Sequence, residues 1–90
     1  MSVPCDAAEV QAELARVLAS RHFAQAQRLS AFLRLIVDTT LRGDGAAIKE
    51  FLIATAVYQR DETYDPRVDS IVRVEASRLR ERLRAYYAAD

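Results

Sequence analysis

The stretch from Asp69 to Tyr87, DSIVRVEASRLRERLRAYY, constrains the fold more than any other part of the chain. At about 100° per residue, Val72, Ala76, Leu79, Leu83 and Tyr86 fall on one stripe, with Tyr87 at its margin. That repeat belongs to an amphipathic helix seated on a core. On its polar side Arg73, Ser77, Arg80 and Arg84 share one flank, and Arg78 and Arg82 share the other, with Val74 and Glu81 between them. Two rows of guanidinium groups over an apolar underside suit a helix that reads the major groove of DNA. The same pattern also describes a solvated surface helix, because Arg forms helices well and pairs at (i, i+4).

A helix of this kind needs a core beneath it. Ninety residues make one small domain, near the lower limit for a core without disulfides or metals. Hydrophobic residues are 51% of the chain, which argues against disorder. Only two Gly and two Pro are present, so a turn-rich all-β fold is excluded and the expected class is all-α. Lys and Arg together number 13, as do Asp and Glu, giving zero formal net charge, which tells against a generic nucleic-acid coat. The distribution is uneven: residues 1–66 are net −2 and residues 67–90 net +2. Lys49 is the one Lys, and Arg is the residue preferred where a planar fork meets phosphate, guanine or carboxylate. Cys5 has no partner for an internal disulfide, no run is long enough to span a membrane, and the N-terminus lacks signal-peptide character. The expected location is the cytoplasm.

Taken in order, residues 1–5 read as a flexible tail, and Asp6 with Glu9 forms a capping box for a helix over about 7–19. Val10, Leu14, Val17 and Leu18 face its core side, and Ser20 to His22 break it. Phe23 is expected to plug the core from the loop. His22, without Cys or His at ligand spacing, reads as a surface residue. A second helix is predicted over about 26–42, burying Leu29, Phe32, Leu33, Ile36, Val37 and Leu41, and Arg42-Gly43 ends it. Gly43-Asp44-Gly45 lacks the spacing and the Lys of a phosphate loop. A third helix over about 47–57 is predicted to turn Ile48, Phe51, Leu52 and Val57 inward. Lys49 at its start could meet a phosphate at the helix N-terminus, or stand in solvent paired with an acid. Residues 58–67 read as a loop, with Tyr58 and Tyr64 packed by their rings. Its acids do not have calcium-loop spacing, and turns and caps account for them, Asp69 as the cap of the last helix.

Two helices joined by a connector, the second bearing exposed Arg, follow the helix-turn-helix plan. The segment VDSIVRVEASRLRERL, Val68 to Leu83, resembles the recognition helix of the winged-helix effector domains of two-component response regulators. There a Val-Asp pair opens the helix and a Ser-Arg-Leu-Arg run sits in its middle, as Ser77, Arg78, Leu79 and Arg80 do here. Nearly the whole chain resembles a bacterial domain of winged-helix type, often found N-terminal in larger sensor or cyclase-like proteins. The likeness is carried by Phe32-Leu33-Arg34, by Lys49-Glu50-Phe51, and by Tyr64-Asp65-Pro66-Arg67-Val68-Asp69 through Arg84-Ala85-Tyr86-Tyr87. In that domain a strand pair commonly follows the double Tyr. This sequence stops at Asp90, as a natural wingless variant or a truncated chain would, so the expectation is a four-helix helix-turn-helix domain of winged-helix type lacking the wing.

The resemblance implies a sequence-specific regulator of transcription whose last helix enters the major groove of double-stranded DNA. Arg73, Ser77 and Arg78 are then the candidates for base contacts. Lys49, Arg67, Arg80, Arg82 and Arg84 are the candidates for phosphate contacts. One such module covers a short site, so a homodimer on a two-fold site is expected, or a partner such as RNA polymerase meeting the connector at 58–68. The alternative is a helical interaction module whose Arg rows bind an acidic protein. No Cys–His or Ser–His set, metal cluster or cofactor loop is present in the sequence, so no enzyme and no cofactor are expected.

Overall fold

A computed structural model describes residues 7–44 and 49–88. Four helices follow in order, α1 (Ala7–Ala19), α2 (Gln27–Leu41), α3 (Glu50–Val57) and α4 (Ile71–Ala88), with no strand among the described residues. The all-α expectation is met. The Asp6 capping box, Ile48 and the predicted first residues of the third helix lie outside the described residues. Among the described residues no helix is long and apolar enough to cross a membrane.

α2 is the central element and packs on each of the other three, while α3 also packs on α4. The core joins Val17 of α1, Leu29 and Phe32 of α2, Ile53, Ala54 and Val57 of α3, and Val72 and Leu79 of α4. Phe23 enters it from the α1–α2 turn at 1% exposure, as predicted. The turn is built to put it there. Ser20 donates from its backbone amide and its hydroxyl to the Val17 carbonyl, and the amides of Phe23 and Ala24 return to the Ser20 carbonyl. The Phe23 carbonyl then accepts from the Ala26 amide and the Ser30 hydroxyl, tying the turn to the start of α2. Each fully buried large apolar side chain contributes roughly 1.5–3 kcal/mol relative to its exposed state.

α2 ends as its Arg-Gly pair predicts. Gly43 takes φ +83°, its amide donates to the Thr40 carbonyl, and the Asp44 amide donates to the Thr39 carbonyl. Those two bonds satisfy carbonyls that a helix end leaves open. Burial along α2 is narrower than the expected stripe. Leu29 and Phe32 are fully buried, but Leu33, Ile36, Val37 and Leu41 are half-buried. Thr39, a polar residue outside the apolar pattern, is buried instead.

The predicted face of α3 is corrected. Phe51 and Leu52 point outward at 48% and 36% exposure, and Ile53, Ala54 and Val57 turn inward. The segment EFLIATAV holds only Glu50 and Thr55 as polar residues, too few to form a polar face that sets its rotation. Phe51 instead rests its ring near Tyr64, at 6.4 Å between centroids.

The connector is held by its own acids. Asp61 accepts from the backbone amide and hydroxyl of Thr63, and Asp65 accepts from the backbone and guanidinium of Arg67. Asp69 accepts from the Ile71 amide at 3.1 Å and from Arg60 at 2.7 Å, so it caps α4 while anchoring the loop. The Thr63 hydroxyl, the Arg67 guanidinium and the Arg60 guanidinium hold Asp61, Asp65 and Asp69 respectively below the usual carboxylate range. Gln59 adopts φ +59°, a left-handed conformation uncommon outside Gly, and the Arg60 amide reaches back to the Ala54 carbonyl.

The far end of α4 is strapped to α1 and to the α1–α2 turn. Tyr87 donates its hydroxyl to Glu13 at 2.7 Å, Arg82 donates to the His22 carbonyl at 2.7 Å, and the rings of Tyr86 and His22 meet edge to face. The bond to Glu13, followed by burial, pushes the Tyr87 phenol up to about 12. A phenol raised on folding adds stability below its unfolded value and loses that stability as pH rises through the folded value. The strap is therefore expected to release between pH about 10 and 12. In a tyrosinate absorbance titration, Tyr87→Phe should remove one late-titrating group. An unchanged alkaline limb would refute the assignment.

Candidate nucleic-acid interface

α4 presents its apolar stripe inward, with Val72 and Leu79 buried and Ile71, Ala76, Leu83 and Tyr86 packed at the edges. Its 18 residues span about 27 Å and carry five Arg against two Glu, Glu75 and Glu81. Glu75 is buried and faces the core side, so Glu81 is the one acid on the outer surface of α4. Arg73, Arg78, Arg80, Arg82 and Arg84 are all exposed, as is Ser77. Val74, between the two Arg flanks, is 43% exposed.

The arginines differ in what holds them. Arg73 donates to Glu50 at 2.8 Å and to the Pro66 carbonyl at 2.7 Å. Arg78 pairs with Glu75 at 3.0 Å, and Arg84 with Glu81 at 3.0 Å. Arg82 is taken up by the His22 carbonyl, and Arg67 is chelated by Asp65. Arg80 forms no ion pair among the described residues, and neither does Lys49. Among the described residues seven of the 13 Lys and Arg are ion-paired, three of them with an acid three positions away, so a chain of zero net charge still keeps open cations at its surface.

Structure brings part of the expected set together. Lys49, at the N-cap position of α3, lines the same groove as Arg73 and Arg80 of α4. Arg78 and Arg82 stand on the opposite flank of α4, and Arg67 stands in the connector with 89% of its side chain exposed. Ser77 lies between Arg73 and Arg80 on the outward flank.

Three further residues outside the expected set of base and phosphate contacts shape this surface. Glu50 accepts from both Arg73 and the Tyr64 hydroxyl, which fixes the start of α3 to α4 and to the connector. Glu75 accepts from the buried Tyr58 hydroxyl at 3.2 Å as well as from Arg78. Burial first, and then the Glu75 charge, push the Tyr58 phenol up, so it remains a donor throughout the physiological range. The spacing of Val72, Glu75 and Leu79 is core spacing, and it was the available signal for Glu75. Val74 is an exposed apolar residue amid charged ones, and that contrast was its signal. Comparisons with protein-family models, with curated proteins and with solved structures find no match to this chain.

Proposed function

We propose that the chain is a cytoplasmic, sequence-specific DNA-binding regulator of transcription, a helix-turn-helix fold of winged-helix type. The observation that carries this reading is the exposed outer surface of α4, where five Arg and Ser77 surround Val74 over an apolar underside. Length supports it as well, since the major groove admits a helix.

In this reading α3 crosses the backbone and α4 enters the groove. Arg73, Ser77 and Arg78, in its N-terminal half, meet base edges, and Val74 is placed to touch a thymine methyl group. Arg80, Arg82, Arg84, Arg67 and Lys49 meet phosphates and set register rather than sequence. Arg73 and Arg84 are held in surface pairs worth roughly 0–1 kcal/mol, and Arg78, although its partner Glu75 is buried, keeps 68% of its own side chain in solvent. Exchanging Glu50, Glu75 or Glu81 for a guanine edge or a phosphate therefore costs little. One module gives a short site, so a homodimer on a two-fold site, or RNA polymerase contact through residues 58–68, would complete recognition.

Selection from a random duplex library, with enriched sites retested at two salt concentrations, tests this. Arg73→Ala and Arg78→Ala are expected to cost ~1–3 kcal/mol at particular base positions and relax specificity there. Arg80→Ala should weaken all sequences alike and lower the salt slope by about one. Absence of any enriched motif, with binding lost uniformly on adding salt, would leave a charged face and no sequence reader.

A further inference from the structure

Between α2, α3 and α4 lies an open groove of about 470 Å³ with an apolar floor that includes Leu33 and Ile36 of α2, Ile53 of α3, and Ala76 and Leu83 of α4. Leu33, Ile36, Ala76 and Leu83 are half-buried, packed on the core from one side and open to the groove from the other. The rim is mainly positive, with Lys49, Arg73 and Arg80 facing a single acid, Glu50. Glu50 is already committed to Arg73 and Tyr64, whereas Lys49 and Arg80 have no acidic partner among the described residues. An aliphatic trough between α2 and α4, bordered by unneutralised cations, is complementary to an amphipathic helix with acidic margins.

We propose that this groove binds a short amphipathic helix of a partner protein, apolar on one face and bordered by Asp or Glu. Leu- or Ile-sized side chains at helical spacing would cover Leu33, Ile36 and Leu83, and the bordering carboxylates would approach Lys49 and Arg80. The chain's own helices make poor occupants. α4 is basic, the outward residues of α1 are mostly Ala, and Leu14 and Val17 of α1 are buried already. The acids of α1 and α2 that carry hydrogen bonds are engaged as well, Glu13 with Arg16 and Tyr87, and Asp38 with Gln11. The groove lies beside the outer face of α4 and does not depend on DNA recognition. Both surfaces share Arg73 and Arg80, so a bound helix would compete with DNA for them.

The test uses the full chain and no DNA. Its probe is a labelled synthetic peptide of about four helical turns with Leu at i, i+4, i+7 and i+11 and Glu at the flanking positions. Fluorescence anisotropy is expected to show saturable binding. Lys49→Glu combined with Arg80→Glu should weaken it by about tenfold or more, as charge reversal at both borders removes the electrostatic match. Ala76→Met, which fills the trough, should weaken it comparably, with helicity and thermal unfolding confirming that the variant is folded. Independently of any variant, the peptide should shift the amide resonances of Leu33, Ile36, Ala76 and Leu83. Equal binding by a control peptide with the four Leu changed to Gln would overturn the proposal, because charge alone would then suffice. So would resonance shifts confined to Ser77, Glu81 and Arg84, or a dimer that excludes the peptide and is dissolved by Ala76→Met.

Discussion

Replacing Phe23 by alanine is expected to destabilise the fold by about 3–5 kcal/mol, the range for removing a buried aromatic side chain. Phe23 is 1% exposed and is the largest fully buried side chain among the described residues. It comes from a turn, not from a helix, so it closes the core at the point where α1 passes to α2. The turn's bonds from Ser20, Ala24, Ala26 and Ser30 hold the backbone on both sides of it, which limits collapse into the cavity. Small domains have a total stability of ~5–15 kcal/mol, so the variant should lose a large part of it. Urea unfolding followed by helical ellipticity would measure the change. A shift below about 1 kcal/mol would mean that Phe23 is not the closure of this core.

Glu75→Ala is the second large effect, expected at about 2–4 kcal/mol. Glu75 is 8% exposed and its carboxylate accepts from the Tyr58 hydroxyl, itself on a residue 3% exposed. Removing the acceptor leaves that hydroxyl buried without a partner, which costs roughly 1–3 kcal/mol. The lost methylene packing adds to it at ~0.8 kcal/mol per buried CH₂. The Arg78 pair adds little, since Arg78 keeps 68% of its side chain in solvent. Glu75→Gln preserves the acceptor and changes only the charge, so it should cost under about 1 kcal/mol. Unfolding free energies of the two variants separate the causes. Equal losses would show that charge pairing with Arg78, not the buried bond to Tyr58, is what Glu75 supplies.

Much of the fold is legible in the sequence because the signals that mark it act within a turn or two. Four helices, the C-terminal end of α1, the ends of α2, the Gly43 cap and the Asp69 cap all follow from periodicity and end chemistry. The outward rows of α4 follow from the same periodicity, so the positions of Arg73, Ser77, Arg78, Arg80, Arg82 and Arg84 are readable without coordinates. α3 fails that test because EFLIATAV has no polar side to orient it, and Phe51 and Leu52 came out on the surface. Glu75 sits at core spacing, but a carboxylate is read as exposed until a buried donor such as Tyr58 is found across the chain.

By itself, the sequence determined an all-helical chain with an amphipathic, Arg-bearing last helix, since each of those properties depends on neighbours three or four residues away. Tertiary structure alone decided which cations are held by groups distant in the chain. Glu50 meets Arg73 across 23 positions and the His22 carbonyl meets Arg82 across 60, whereas Arg80 and Lys49 meet no acid among the described residues. It likewise decided that Leu33, Ile36, Ala76 and Leu83 converge on one open groove, and that Gln59 turns left-handed, with the Arg60 amide returning to the Ala54 carbonyl of α3. The reason is physical: helix period is a property of the local backbone, whereas charge pairing, burial and grooves depend on which surfaces the packed helices bring within a few ångströms of one another.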